Sequence, residues 1–234
     1  MNCIIASTST IHGSDYLAYL QPELHELFKD IHKILFIPFA RPSGITHDEY
    51  TQKAREGLAF LNKKVVGIHE SDNYREAVKN AEAIFTGGGN TFLLVKQLHD
   101  HHLMDTLRQK IESGSPYLGT SAGSNICGPT MQTTNDMPIV MPKSFQTTGV
   151  LPFNINAHYL DPDANSTHKG ETRETRIKEF HKLNDTIVVG LREGSWVRVV
   201  GKKMNLGGKL AARIFKPNEA AFEVAPNYSF NELS

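Results

Sequence analysis

The sequence predicts an α/β fold: a mostly parallel sheet with helices on both faces, followed by antiparallel strands near the C-terminus. Three observations predict it. Through the first half, short apolar runs rich in Ile, Val and Phe alternate with longer amphipathic stretches. Two glycine-rich turns, "TGGGN" and "GTSAG", fall where an apolar run ends and a helical pattern begins. Late in the chain, strand-like runs are joined by Gly-containing turns.

Each element has its own signature. "NCIIAS", "KILFIPFA", "KVVGIH", "AIFTGG" and "PYLGTSA" have strand length and are bounded by Gly, Pro, Ser or charge. Between them, "DYLAYLQPELHELFK", "THDEYTQKAREGLAFLN", "NYREAVKNA" and "TFLLVKQLHDHHLMDTLRQKI" carry apolar residues near helical spacing with charged opposite faces. Such alternation builds βαβ units and a parallel sheet. The segment from Thr133 to Gly170 has many Thr, Asn and Pro and no period, so loop with short strands is expected there. "ETRETRIKEFHKL" reads as a helix, and "DTIVVGLREGSWVRVVGKKMNLGGKLAARIF" as antiparallel additions to the main sheet. No repeat, low-complexity linker or boundary divides the chain, so residues 1–234 are expected to form one domain.

Composition narrows the function classes. Of the 234 residues, 39% are hydrophobic, enough for a sizeable core. Lys plus Arg equals Asp plus Glu at 25 each, and no basic block stands out, so bulk-charge binding to nucleic acid is not expected. No apolar run has membrane-spanning length, and the N-terminal residues lack the charge and apolar pattern of a signal peptide. Cys3 and Cys127 are the only cysteines, which makes neither a disulfide framework nor a zinc site; a reducing, cytoplasmic setting is expected. "NST" at Asn165 then carries no glycosylation argument.

The chemistry centres on Gly119-Thr120-Ser121-Ala122-Gly123. This is the G-x-S-x-G pattern of a nucleophile elbow, in which small neighbours let a serine hydroxyl stand clear of a tight strand-to-helix turn. A serine nucleophile needs a base and a carboxylate to orient that base. Asp136 in "TTNDMPIV" and His158 in "NINAHYLDP" follow in the aperiodic segment, giving the order Ser, Asp, His of α/β-hydrolases. His168 competes as base. Two backbone N–H groups must meet the oxyanion; Ala122 is expected to supply one and Gly88 of the glycine run the other. That run has no lysine where a nucleotide-binding loop requires one.

Together these stretches resemble a known family. "FIPFA", "GGGNTF", "SAGSN", "TTNDMPIV", "NAHY" and "HKGETRETRI", in this order along nearly the whole chain, look like the motifs of peptidase E, the α-aspartyl dipeptidase family of serine peptidases. The resemblance implies a domain related to class I glutamine amidotransferases. It also implies a Ser-His-Asp triad at Ser121, His158 and Asp136, and cleavage of dipeptides with an N-terminal aspartate without metal or cofactor. The aspartyl carboxylate then calls for a cation, and a guanidinium matches it best. Arg173 is the candidate, with Arg41, Lys169 and Arg176 as rivals; Glu171 could hold the substrate's amino group, and Asn90 is a further substrate-binding candidate. The remaining readings are a cyanophycinase-like β-aspartyl peptidase, an amidase on the same fold, and a non-catalytic binding module. The expected partner is a small peptide, with no nucleic acid or membrane, and the chain is expected to be a monomer or homodimer. Cys127, Met131, Met137 and Met141 are read as packing residues, and His99, His101 and His102 as a solvated helix face.

Overall fold

The computed structural model describes residues 1–162 and 170–233. His168, Lys169 and Asn165 lie outside the described residues. The first half runs β1 (Asn2–Ala6), α1 (Gln21–Leu27), β2 (Lys33–Ile37), α2 (His47–Gly57), β3 (Lys64–Gly67), α3 (Tyr74–Lys79), β4 (Ala83–Thr86), α4 (Thr91–Asp100), α5 (Met104–Glu112), β5 (Pro116–Thr120) and α6 (Ala122–Asn125). There follow β6 (Asn154–Ala157), α7 (Arg173–Phe180), β7 (Val188–Leu191), β8 (Trp196–Val200), β9 (Lys203–Gly207), β10 (Ala212–Phe215) and β11 (Phe222–Val224).

The main sheet has seven strands in the order β3-β2-β4-β5-β1-β8-β9. The five strands of the first half are parallel, while β8 and β9 join antiparallel beside β1. Strand residues alternate between two apolar layers. Cys3, Ile5, Leu35, Ile37, Ile84 and Tyr117 face one layer; Ile4, Ala6, Ile34, Phe36, Phe85 and Leu118 face the other. Burial on both faces explains why these strands read as continuous apolar runs rather than alternating ones. Helices α1 and α2 cover one face, and α3, α4 and α5 the other, as their buried residues show.

Two features depart from the sequence reading. Only β8 and β9 extend the main sheet; β6, β7, β10 and β11 form a second sheet of order β11-β10-β7-β6. Its residues Ile155, Val189 and Ile214 join the same core as α4 and α5, so the two sheets share one apolar interior. The long helical stretch after the glycine run is broken between α4 and α5, where His102 adopts a left-handed φ of 54°. The helix pattern on either side of this turn is similar, so periodicity did not reveal the break.

Candidate active site

Ser121 follows β5 directly and occupies a backbone conformation, φ 52° and ψ −111°, that L-residues rarely adopt. Such strain persists only where the surroundings hold it. Here the Ser121 N–H donates to the Ala6 carbonyl at the end of β1 (3.1 Å), and α6 begins at once. Gly123 permits this: a Cβ there would lie 2.2 Å from the Thr86 carbonyl oxygen, so α6 packs backbone to backbone on β4. The glycines of the motif are thus needed for helix–strand approach as well as for the turn.

The imidazole expected as base arrives from the second sheet. His158 lies just past β6 with φ 54°, and its Nε2 is 3.0 Å from the Ser121 Oγ. Its Nδ1 is 2.6 Å from Oε1 of Glu193, in the turn between β7 and β8. Both imidazole nitrogens are thereby engaged, and the carboxylate on the base is that of Glu193. Asp136 does not occupy that place. Its Oδ2 accepts from the Thr91 N–H (2.7 Å), the Thr91 hydroxyl (2.5 Å) and the Thr134 hydroxyl (2.9 Å). Among the described residues the carboxylate in contact with His158 is thus Glu193, where Asp136 was expected. The hydrolase order Ser, Asp, His had drawn attention to the loop after the elbow. Glu193 comes later in the chain and is brought back by the β6–β7 pairing, at the carboxyl end of β7 in "LREGS". Its only sequence signal was a carboxylate at the end of a strand-like run.

The glycine run sits against Ser121. A Cβ on Gly88 would lie 3.0 Å from the Ser121 Cβ and 3.6 Å from its Oγ, so only a bare backbone comes this close without displacement. The Tyr50 hydroxyl donates to the Gly88 carbonyl (2.9 Å), which turns that peptide's oxygen away toward α2. Ala122 is the first residue of α6, where an N–H has no intrahelical partner. Neither the Gly88 nor the Ala122 N–H donates to another described residue.

Asp136 instead ties this loop to α6. Thr91 opens α4 immediately after the glycine run, and the Asn125 side-chain amide, on α6, donates to the hydroxyls of Thr91 (3.0 Å) and Thr134 (3.2 Å). Asn90, expected to touch substrate, has its side chain engaged within the protein. Its Oδ1 caps α4 by accepting from the Leu93 N–H (3.0 Å), and its Nδ2 donates to the Met137 carbonyl (2.8 Å).

Arg173 is the first residue of α7 and half-buried. Burial and the neighbouring Arg176 pull its pKa below the ordinary arginine value, and Asp136 acts in the opposite sense. No described carboxylate lies within ion-pair distance of it. Glu171 is half-exposed and 3.8 Å from Arg176. Arg41 stacks 4.8 Å from the centre of the Tyr50 ring, and its Nε is buried without a hydrogen-bond partner among the described residues.

The packing residues divide. Cys127 and Met131 are buried, and burial holds the Cys127 thiol far above its ordinary pKa, so it stays protonated. Met137 and Met141 are 74% and 86% exposed and do not pack, because the loop after Asp136 runs over the surface. Of the three histidines, His99 bonds through Nε2 to the Gln146 carbonyl, and the His101 ring packs against Tyr74. Among the described residues, no group of three or more His, Cys, Asp or Glu side chains is arranged to hold a metal ion, and no helix is long and apolar enough to cross a membrane.

Residues 3–207 match the family described as peptidase family S51. The chain is 44% identical over 233 residues to a peptidase E of Streptomyces coelicolor, covering all of this chain and 95% of that protein. It is 42% identical over 228 residues to a probable alpha-aspartyl dipeptidase of Drosophila melanogaster, covering 96% and 94%. Among solved structures, a putative peptidase E protein of Listeria monocytogenes superposes with TM-score 0.66 at 20% identity, covering 88% of this chain and 98% of that one. A peptidase from an acI-B1 actinobacterium gives TM-score 0.69 at 19% identity, covering 97% and 95%.

Proposed function

Because the chain belongs to peptidase family S51, we propose that it is an α-aspartyl dipeptidase, a one-domain cytoplasmic serine hydrolase that cleaves Asp-Xaa dipeptides. The observation that carries this reading is the continuous hydrogen-bonded chain Ser121–His158–Glu193, seated beside a glycine backbone and at the start of α6.

In the reaction we propose, His158 Nε2 takes the proton of Ser121 as its Oγ attacks the carbonyl of the aspartyl residue. The N–H groups of Gly88 and Ala122 donate to the oxygen that becomes negative, where preorganised donors lower the barrier most. Glu193 accepts from His158 Nδ1–H, which selects the tautomer with Nε2 free and steadies the imidazolium that forms. His158 then protonates the departing amino group, and a water takes the place of Ser121's hydroxyl in the second half to release aspartate. Arg173 supplies the cation for the aspartyl side chain. Glu171 faces the substrate's amino group. Asp136 is a positioning residue: through Thr91 it holds the entrance of α4, and with it the Gly88 loop, against α6.

The test is release of free aspartate from Asp-Leu. The wild type should turn over and Ser121→Ala should show no detectable rate. Activity of Ser121→Ala near that of the wild type would remove the nucleophile assignment. Preference for an isoaspartyl or amide substrate over Asp-Leu would move the protein to another hydrolase activity on the same site.

A further inference from the structure

Ser121, His158 and Glu193 follow three strand ends that belong to two different sheets, and a single hydroxyl just past β1 ties together the two that carry His158 and Glu193. Ser7 stands one residue past β1, is fully buried, and has no counterpart among the residues singled out from the sequence. Its Oγ accepts from the His158 N–H (2.9 Å) and donates to the Leu191 carbonyl (2.7 Å). Its own N–H donates to the Ser195 carbonyl (3.0 Å). Leu191 and Ser195 bracket Glu193 on either side. Ser7 therefore touches the backbone of the base and both shoulders of the turn that carries the carboxylate.

We propose that Ser7 is a positioning residue for catalysis, setting His158 and Glu193 in place against Ser121 through these three backbone contacts. The proposal rests on the reading of Ser121, His158 and Glu193 as the reacting groups.

The physical need is visible at His158. Its left-handed φ of 54° is unfavourable for an L-residue, so something outside the residue must hold it there. Beside the Asn135 amide on the Ala157 carbonyl (2.7 Å), two adjacent restraints are the hydrogen bond from its N–H to Ser7 and that from the Tyr159 N–H to the Leu191 carbonyl (3.0 Å). These two converge on the pair Ser7–Leu191. A hydroxyl suits this position because it accepts from one backbone and donates to the other at once. Alanine would leave the His158 N–H without its acceptor and free the backbone to relax toward an ordinary conformation. That rotation swings the imidazole, and misplacing a reacting group by about 1 Å costs on the order of a hundredfold in rate.

Ser7 is buried beneath the triad and does not meet substrate, so substrate binding is expected to be retained. Ser7→Ala should lower kcat for Asp-Leu by about a hundredfold and leave KM within about a factor of two. Ser7→Cys, nearly the same size and able to bond weakly, should fall between Ser7→Ala and the wild type. Its volume also makes it the variant to use if Ser7→Ala does not fold. The rate at which a fluorophosphonate labels Ser121, followed by mass spectrometry, should drop in parallel, well below the melting temperature of each variant. A kcat and labelling rate equal to wild type in Ser7→Ala or Ser7→Cys would overturn the proposal, as would a loss expressed in KM alone. The labelling arm does not depend on the substrate. If the wild type labels but does not cleave Asp-Leu, the substrate reading fails while the role of Ser7 is still decided.

Discussion

Glu193 and Asp136 are the two carboxylates on which the chemistry of the site turns, and their contacts separate their roles. Glu193 meets the imidazole alone, whereas Asp136 meets the N–H that opens a helix and two hydroxyls. Removing the charge at each should therefore fail differently. Glu193→Gln should lower kcat by on the order of 10³–10⁴, the scale seen when a triad carboxylate is neutralised in serine proteases, with little change in melting temperature. Asp136→Asn weakens charge-assisted hydrogen bonds worth about 1.5–3 kcal/mol, so its main effect should be a lower melting temperature with a smaller rate loss. Steady-state kinetics and thermal melts on the two variants decide it. An Asp136→Asn enzyme that melts like wild type but loses as much rate as Glu193→Gln would return the acid to Asp136. From sequence, Asp136 was legible as a carboxylate in the loop after the elbow; Glu193 was not singled out, because its place on His158 depends on which strand lies beside which.

At the scale of elements, the active site is made where β4, β5 and β1 end side by side. Each strand end contributes a different feature: the Gly88 loop after β4, Ser121 after β5 and Ser7 after β1. Ligand crevices beyond the carboxyl ends of parallel strands are general to this architecture, which is why the two glycine-rich turns could be read as functional. Their glycines serve distinct purposes, and alanine should expose this. At Gly123 a Cβ would meet backbone, the Thr86 carbonyl oxygen at 2.2 Å, so Gly123→Ala should destabilise the protein by about 1–3 kcal/mol or more. At Gly88 the contacts are looser, and the effect should appear as rate. Displacing one oxyanion donor costs about 2.7–4 kcal/mol of barrier, with the fold retained. Urea unfolding and kcat on both variants test the division; a Gly88→Ala enzyme with unaltered kcat would take Gly88 out of the oxyanion site.

At the scale of the whole molecule, the second sheet carries His158 and Glu193 toward Ser121, which is mounted on the first. An ionic cluster braces that sheet next to the site. Arg192, adjacent to Glu193, pairs with Asp161 (2.7 Å) and Glu223 (2.9 Å), and Arg213 pairs with Glu223 (3.1 Å) and Glu174 (2.9 Å). Hydrogen bonds from Arg192 hold Asp161 and Glu223 below their ordinary pKa values of 3.8 and 4.5, and Lys178 with Arg213 does the same for Glu174. A depressed carboxylate contributes stability that is present above its unfolded value and is lost as pH falls through its folded one. Stability should thus hold above about the ordinary glutamate value of 4.5 and decline as acid protonates the cluster. Arg192→Gln should begin lower and fall less steeply over the same range. Thermal melts of both proteins between neutral pH and the acid limit read this directly, and parallel curves would show that the cluster does not couple to folding.

The sequence by itself determined the strands of the parallel half and most of its helices, and it singled out Ser121 and the glycine loop beside it. Those features are local: strand and helix periods, a strained turn that demands small neighbours, and a loop that must lack side chains all leave marks within a few residues. It also marked His158, through its place in the loop segment after the elbow and then through a motif that resembles peptidase E. Only the tertiary structure decided which carboxylate meets His158, the internal duties of Asn90 and Asp136, and the existence of a second sheet. Glu193 lies 35 residues from His158 and Ser7 lies 151 residues from it. Both are brought there by strand order, which depends on the pairing of distant segments and leaves no periodic signal in the chain. A carboxylate becomes the partner of a particular imidazole only when the fold brings their strands together.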